Sequence, residues 1–361
     1  MDSFAFIIHP INVKRDVQKK FPFLGRALSE RQIEFFSQYF PPVHLSEIEG
    51  ITSAATGKQV KGWLIACPLT PRQMLELPEA RVYRKIIQTG RMAERLGADL
   101  LGLGAHTSVV GDAGLTVANA LTVPVTTGDS YTVAVAVQAV RKAAQVMDIS
   151  LRNATAAVVG ASGSIGRVCA DLLAEEVGKL ILIGRREDPL RAVQAGLKLQ
   201  ARGEIAVSTS MDSLREADLI LTVTSAIHEV IHPEHLRPGS VVCDVARPRD
   251  VSAMVARARD DIFVIDGGMV DVPGPVDFHF NFGLPPGKAY ACMAETIALT
   301  LEGRLEDYTL GKEITRQRVE EISAMAEKHG FRLSGFRSFE KDVTPEQIET
   351  VRRNARRARR N

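Results

Sequence analysis

The chain has 361 residues, 45% of them hydrophobic, a formal net charge of +2 and four cysteines. That is enough apolar chain for about two domains. Cys67, Cys169, Cys243 and Cys292 form no CxxC pair and none stands at ligand spacing from a histidine, so neither a disulfide framework nor a metal site is expected.

No apolar stretch reaches about 18 residues without a charge, and the opening MDSFAFIIHP has no basic segment before its short apolar run. A soluble chain in a reducing cytoplasm is expected, with no signal sequence or membrane span. Charge is unevenly placed: the last ten residues carry six arginines and no acid, leaving 39 basic against 43 acidic residues elsewhere. The body is mildly acidic and the tail strongly basic.

In chain order, FAFII and GWLIAC read as strands. ARVYRKIIQTGRMAERLG has apolar residues at helical spacing and stops on Gly97. ADLLGLG is a buried strand entering a glycine turn. DSYTVAVAVQAVRKAAQVM reads as a helix capped by Asp129 or Ser130. A second unit then starts. TAAVVG, KLILIG, ADLILTVTS, GSVVCDVA and DIFVIDGG are short buried strands, with helices SIGRVCADLLAEE and DPLRAVQAGLKLQARG among them. This alternation predicts an α/β protein with a Rossmann-type, doubly wound parallel sheet over 151–287. Residues 1–150 form an α/β substrate domain. The segment 288–340 returns to that domain and lines the interdomain cleft, where the active site is expected. A basic tail, 341–361, opens on the capping box TPEQ, Thr344 to Gln347, and is expected to end as an exposed helix.

VVGASGSIG places Gly160, Gly163 and Gly166 between a strand and a helix, with Ser162, Ser164 and Ile165 among them. Glycines there let the backbone approach a pyrophosphate, which sits on the helix N-terminus. The second strand runs into Gly184, Arg185 and Arg186 rather than into the acid that usually holds a ribose hydroxyl. Guanidinium groups suit a 2′-phosphate, so NADPH is expected over NADH. Asp188 is a competing ribose ligand. Thr224 and Ser225 follow a later strand, where the nicotinamide ribose is expected.

Candidate chemistry lies in GLGAHTSVV (His106, Thr107, Ser108), in VTTGD (Thr126, Thr127) and in Cys292, near a helix start after a Pro-Pro-Gly stop. A helix N-terminus lowers a thiol's pKa. A thiolate beside NADPH can accept an acyl group from a thioester, which hydride then releases as aldehyde. Cys169 and Cys243 sit inside secondary structure, and Cys67 at a strand end is the rival. His106 or Ser108 could bind the acyl carbonyl or protonate the departing thiol, although a histidine in such a loop commonly bonds backbone. Asp129 reads as a cap. Glu295, three residues past Cys292, would raise the thiol's pKa and reads as structural. YTLGK, Tyr308 to Lys312, matches the Tyr-x-x-x-Lys pair of short-chain dehydrogenases, but lies far beyond the sheet and is taken as chance.

GLGAHTSVV, VTTGDSYTVAV, VVGASGSIG, VIDGGMV, AYACMAETIALTLEG and KHGF, in that order, resemble the cyanobacterial-type long-chain acyl-(acyl carrier protein) reductases over about residues 4–331. The resemblance implies NADPH-dependent reduction of a long-chain acyl thioester to a fatty aldehyde. It places the nucleophile of the A-C-x-A-E helix at Cys292 and implies an acyl-enzyme. The acyl donor would be an acidic acyl carrier protein or coenzyme A. Departures are TTGD in place of the family's usual TTGN, GAHTS in its Gly-rich turn, and the basic tail. The tail suits an acidic partner or anionic lipid headgroups; nucleic acid is not expected. Alternatives are an NADPH oxidoreductase like shikimate dehydrogenase or glutamyl-tRNA reductase, or a non-catalytic NADPH-binding sensor.

Overall fold

The computed structural model describes residues 1–359. The chain divides into two compact units. The first is Met1–Tyr131 with Val270–Arg332, and the second is Thr132–Met269 with the chain from Leu333 onward. The sequence reading puts the changes of unit at about 150, 287 and 340; backbone contacts put them at 131, 269 and 332. The first boundary lies inside the helix Asp129–Val146 rather than after it. That helix carries β-branched residues through its middle, yet Val133 to Val137, Ala139 and Val140 are all buried, so packing overrides propensity.

The first unit is built on a five-stranded sheet of β1 (Ser3–Ile8), β2 (Val43–Thr52), β3 (Gln59–Ala66), β4 (Leu100–Leu103) and β5 (Val125–Thr126), in the order β2-β3-β1-β4-β5. β3, β1, β4 and β5 run parallel, and β2 closes one edge antiparallel. Phe4 to Ile7 are all buried, as expected of a strand covered on both faces. The helix Glu79–Leu96 buries Val82, Ile86, Thr89, Gly90 and Ala93, a stripe at helical spacing. It stops at Gly97 with φ 83°, as read from the sequence.

The second unit is built on a six-stranded sheet of β6 (Thr155–Val159), β7 (Lys179–Ile183), β8 (Glu204–Ser208), β9 (Leu219–Thr222), β10 (Val241–Asp244) and β11 (Phe263–Asp266). Their order is β11-β10-β9-β6-β7-β8, and every pairing is parallel. This is the doubly wound dinucleotide-binding arrangement that the alternating pattern predicts. β8 escapes the sequence reading because it is a half-exposed edge strand whose apolar run is only Ile205 to Val207. The antiparallel β2 and the short helices Val13–Lys20, Pro22–Ala27 and Glu30–Ser37 were not anticipated either.

The basic tail forms the capped helix Pro345–Ala358, but it is not wholly exposed. Ala355 is buried, Arg352 and Arg356 both pair with Asp148, and Arg359 donates to the Pro238 carbonyl. One face of the helix therefore docks on the second unit, and Arg353, Arg356 and Arg357 keep solvent exposure. Arg360 and Asn361 lie outside the described residues.

Candidate active site

In parallel α/β sheets ligands collect beyond the carboxyl ends of the strands. In the first unit those ends deliver His9 after β1, Cys67 after β3, Gly104 to His106 after β4, and Thr127 to Asp129 after β5. The helix Ala291–Glu302 packs against β4, β1 and β3. Two glycines let it come so close. A Cβ on Gly102 would lie 2.2 Å from Thr296 Oγ1. One on Gly128, whose φ is +77°, would lie 2.3 Å from the Cys292 Cα. The turn after β5 thus rests directly on the backbone of Cys292.

Cys292 is the second residue of that helix, and no side chain caps the helix start. Cys67, Cys169 and Cys243 are buried; Cys292 alone reaches solvent in part. The backbone N–H groups of Met293 and Ala105 lie near its sulfur and favour its ionised form. Ala105 has φ 48°, a left-handed geometry unusual for a residue with a side chain, as found where a backbone group is re-aimed at a site. The sequence expectation was a lowered thiol pKa. The structure corrects its sign: burial, then the Asp129 carboxylate, push the thiol up to about 12, with Glu295 adding to them and the two N–H groups opposing. Its surroundings hold Cys292 protonated.

Glu295 is fully buried. Its Oε1 accepts from Thr126 Oγ1 at 2.5 Å and Thr309 Oγ1 at 2.8 Å, and its Oε2 accepts from the Tyr131 N–H at 2.8 Å. The Gly128 N–H also serves it. One carboxyl therefore clamps the turn 126–131 onto the helix that carries Cys292, as a structural reading of Glu295 implies. Burial raises its pKa, against those donors. Asp129 differs. It begins its helix rather than preceding it, and its Oδ2 is buried with no hydrogen-bond partner among the described residues. Burial and then Glu295 push its carboxyl up to about 8, against a hydrogen bond from Thr127. The expected cap is instead an under-satisfied acid beside the thiol.

His106, Thr107 and Ser108 are buried in a short helix, His106–Val109. The Ser108 hydroxyl donates to the Ala105 carbonyl at 2.6 Å, and the Thr107 hydroxyl to the Gly104 carbonyl at 2.7 Å. The His106 backbone N–H donates to His9 Nε2 at 3.2 Å, and the two rings meet edge-on at 5.7 Å. Nε2 of His9 must then be the bare nitrogen. Burial, then the neighbouring His106, hold His9 down to about 4, so it is neutral. His9, Ala105 and the Asp129 oxygen were missed as site features. His9 could have been found as the polar residue ending FAFII at a carboxyl edge. Cys67 is fully buried and pushed up to about 11 by burial. Tyr308 of YTLGK bonds the Arg318 carbonyl and Glu321.

In the second unit Gly160 turns the chain at φ +86°, and its Cβ would meet the Val223 carbonyl at 2.6 Å. A Cβ on Gly166 would lie 2.2 Å from the Gly160 carbonyl. Gly163 precedes the helix Ser164–Ala174 and no side chain caps it, so the first N–H groups are available to a phosphate. Ser162 and Gly163 are exposed at the turn, while Ser164 and Ile165 are half-buried. Arg185 and Arg186 are exposed just past β7, whereas the nearby Glu187 is tied to Arg191. These residues fit a dinucleotide. Thr224 stands less free than expected: its hydroxyl and N–H both bond the buried Asp250, as does the Thr222 hydroxyl. Ser225 beside it is exposed. Asp250 was missed because its charge-rich surroundings, ARPRDV, read as surface. Among the described residues no His, Cys, Asp and Glu side chains gather as a metal-binding group, and no helix is long and apolar enough to cross a membrane.

Fold and glycine turn define the class: an oxidoreductase with an NAD(P)-binding Rossmann unit. Residues 141–267 match the family model for shikimate / quinate 5-dehydrogenase. The chain is 31% identical to the long-chain acyl-[acyl-carrier-protein] reductase of Synechococcus elongatus, over 91% of this chain and 98% of that protein. It belongs to that reductase's family. It is also 32% identical to the aminotransferase PigE of a Serratia species, over 97% of this chain, and spans only 42% of PigE's length. Among solved structures, L-tryptophan dehydrogenase from Nostoc punctiforme aligns over 99% of this chain and 88% of its own, at 14% identity and a TM-score of 0.40. Relatives of nearly equal identity thus carry different activities, and the site must choose between them.

Proposed function

We propose that the chain reduces a long-chain acyl thioester to the fatty aldehyde through an acyl-enzyme on Cys292, with NADPH as reductant. One observation carries the reading: Cys292 is the single cysteine that reaches solvent in part, and it stands at an uncapped helix start with the Met293 and Ala105 N–H groups near its sulfur. Sγ attacks the acyl carbon, and Asp129, ionised in part near neutral pH, takes the thiol proton. The carbon–sulfur bond to the carrier breaks, and the carrier thiolate leaves with that proton. Bound NADPH supplies the hydride that converts the acyl-enzyme to aldehyde and frees the thiolate. The N–H groups that serve Sγ stabilise charge there. Ser108 acts as a positioning residue through Ala105, and His9 holds the His106 end of the same loop. His106, on the same loop, is the proposed donor to the acyl carbonyl oxygen.

The 2′-phosphate of NADPH is assigned to Arg185 and Arg186, the pyrophosphate to the turn Gly160–Gly166, and the nicotinamide ribose to the Thr224–Ser225 loop. The acyl donor is acyl carrier protein, with acyl-CoA as the other thioester of the class. The relative in Synechococcus elongatus supports the carrier by its name. The test is intact-protein mass spectrometry after mixing with a long-chain acyl thioester without NADPH, beside Cys292→Ala. The wild type gains one acyl mass and loses it as aldehyde when NADPH is added; Cys292→Ala gains none. An adduct that persists in Cys292→Ala moves the nucleophile elsewhere. The absence of any adduct removes the covalent route and leaves a dehydrogenase of the shikimate type or an NADPH-binding sensor.

A further inference from the structure

We infer that residues 11–40 form a docking surface for an anionic lipid bilayer. This does not depend on the thioester reading. Every exposed phenylalanine of the chain falls in this stretch: Phe21, Phe23, Phe35, Phe36 and Phe40, joined by the exposed Tyr39. Phe23 is 88% exposed, Tyr39 63% and Phe35 57%. They are organised rather than scattered. Phe35 meets Phe36 and Tyr39 edge-on at 5.4 and 5.8 Å, and Arg81 covers the Tyr39 ring at 5.4 Å. The helices Pro22–Ala27 and Glu30–Ser37 both pack on the helix Val13–Lys20. Gly25 lies so close to Gln18 that a Cβ there would be 2.6 Å from the Gln18 Cβ. Soluble proteins seldom leave such an aromatic set uncovered.

Charge selects the occupant. Lys14, Arg15, Lys19, Lys20, Arg26 and Arg31 are all exposed in the same stretch. Of its three acids only Glu30 is exposed. Asp16 is spent on the Ile11 and Asn12 N–H groups, and Glu34 accepts from Thr70. Two copies of this surface would repel each other, which disfavours self-association. Aromatic rings at the headgroup level beside a basic rim fit an anionic membrane surface. The arginine-rich tail is a weaker candidate for that role, since several of its arginines are engaged within the second unit.

The experiment is flotation of the full chain with vesicles of phosphatidylcholine containing phosphatidylglycerol, and with vesicles of phosphatidylcholine alone. Three variants accompany the wild type: Phe23→Ser/Phe35→Ser/Phe36→Ser, Lys14→Glu/Arg26→Glu/Arg31→Glu, and Arg353→Ala/Arg356→Ala/Arg357→Ala in the tail. All the changed side chains are solvent-exposed, and circular dichroism confirms each fold. The wild type should float with the anionic vesicles only, less so at high salt. The first two variants should lose about tenfold or more of that partitioning, and the tail variant should keep it. No flotation of the wild type, or loss confined to the tail variant, overturns the inference. So does an aromatic variant that floats like the wild type but binds acyl carrier protein more weakly, which would assign the surface to a protein partner.

Discussion

Replacing Asp129 with asparagine perturbs the thiol's surroundings at nearly constant volume. The folded carboxyl titrates near 8, and its ordinary value is 3.8. Between those two pH values the folded chain holds a proton that the unfolded chain has released. Unfolding therefore liberates a proton, and stability falls as pH rises. The contribution is full below pH 3.8 and gone once pH passes about 8. One proton corresponds to a slope of about 1.4 kcal/mol per pH unit, so the wild type should lose about 2–3 kcal/mol between roughly pH 6 and 8 relative to Asp129→Asn. Glu295, which faces Asp129 from the neighbouring helix, remains in both proteins, so its own alkaline cost largely cancels. Urea unfolding at a series of pH values measures the difference. Parallel stability curves would refute a raised Asp129 pKa. A second readout separates electrostatics from catalysis. Without the Asp129 charge the Cys292 thiol should ionise at lower pH and alkylate faster with iodoacetamide. Acylation by a thioester should nevertheless slow, about 10²-fold for loss of a positioned base. Faster acylation would refute Asp129 as the proton acceptor.

Glu295→Ala should cost about 3–6 kcal/mol, because the buried Tyr131 and Gly128 N–H groups and two threonine hydroxyls lose their acceptor. Glu295→Gln should cost far less, since its amide oxygen can serve the N–H groups while its NH2 donates to the hydroxyls; chemical denaturation of both tests the clamp. Gly128→Ala should lower acylation and stability together, because its Cβ would overlap the Cys292 backbone and its φ of +77° is strained for alanine; wild-type acylation kinetics in this variant would show that the turn does not press on the thiol. Arg185→Ala/Arg186→Ala should raise the KM for NADPH about tenfold or more with little effect on NADH; equal effects on both cofactors would place the 2′-phosphate elsewhere.

Apart from the edge strand β8, the doubly wound sheet was legible because its parallel strands are short apolar runs with no competing pattern, and the glycine turn because a Cβ on Gly160 or Gly166 would strike backbone. The position of Cys292 at a helix start was legible from the Pro-Pro-Gly stop before it. The sign of its pKa shift was not. The rule for helix N-termini counts only the dipole and the local N–H groups, whereas Asp129, more than 150 positions earlier in sequence, reaches the thiol only through the fold. Asp129 also reads as a cap in sequence because Asp before an apolar helix usually is one; here the helix starts on it, and burial leaves its Oδ2 unsatisfied.

These two corrections have one physical consequence. A thiol whose pKa stood near 7 would be thiolate much of the time and open to oxidation whenever no substrate is present. A thiol held near 12 by burial and two acids is inert at rest. It becomes a nucleophile only when an electrophile reaches it and a neighbouring base removes its proton in the same step. An acid at about 8 is better matched to that task at neutral pH than one at 3.8, which would hold a proton too weakly. The burial that raises both groups therefore suppresses the idle reactivity of Cys292 and tunes the partner that releases it.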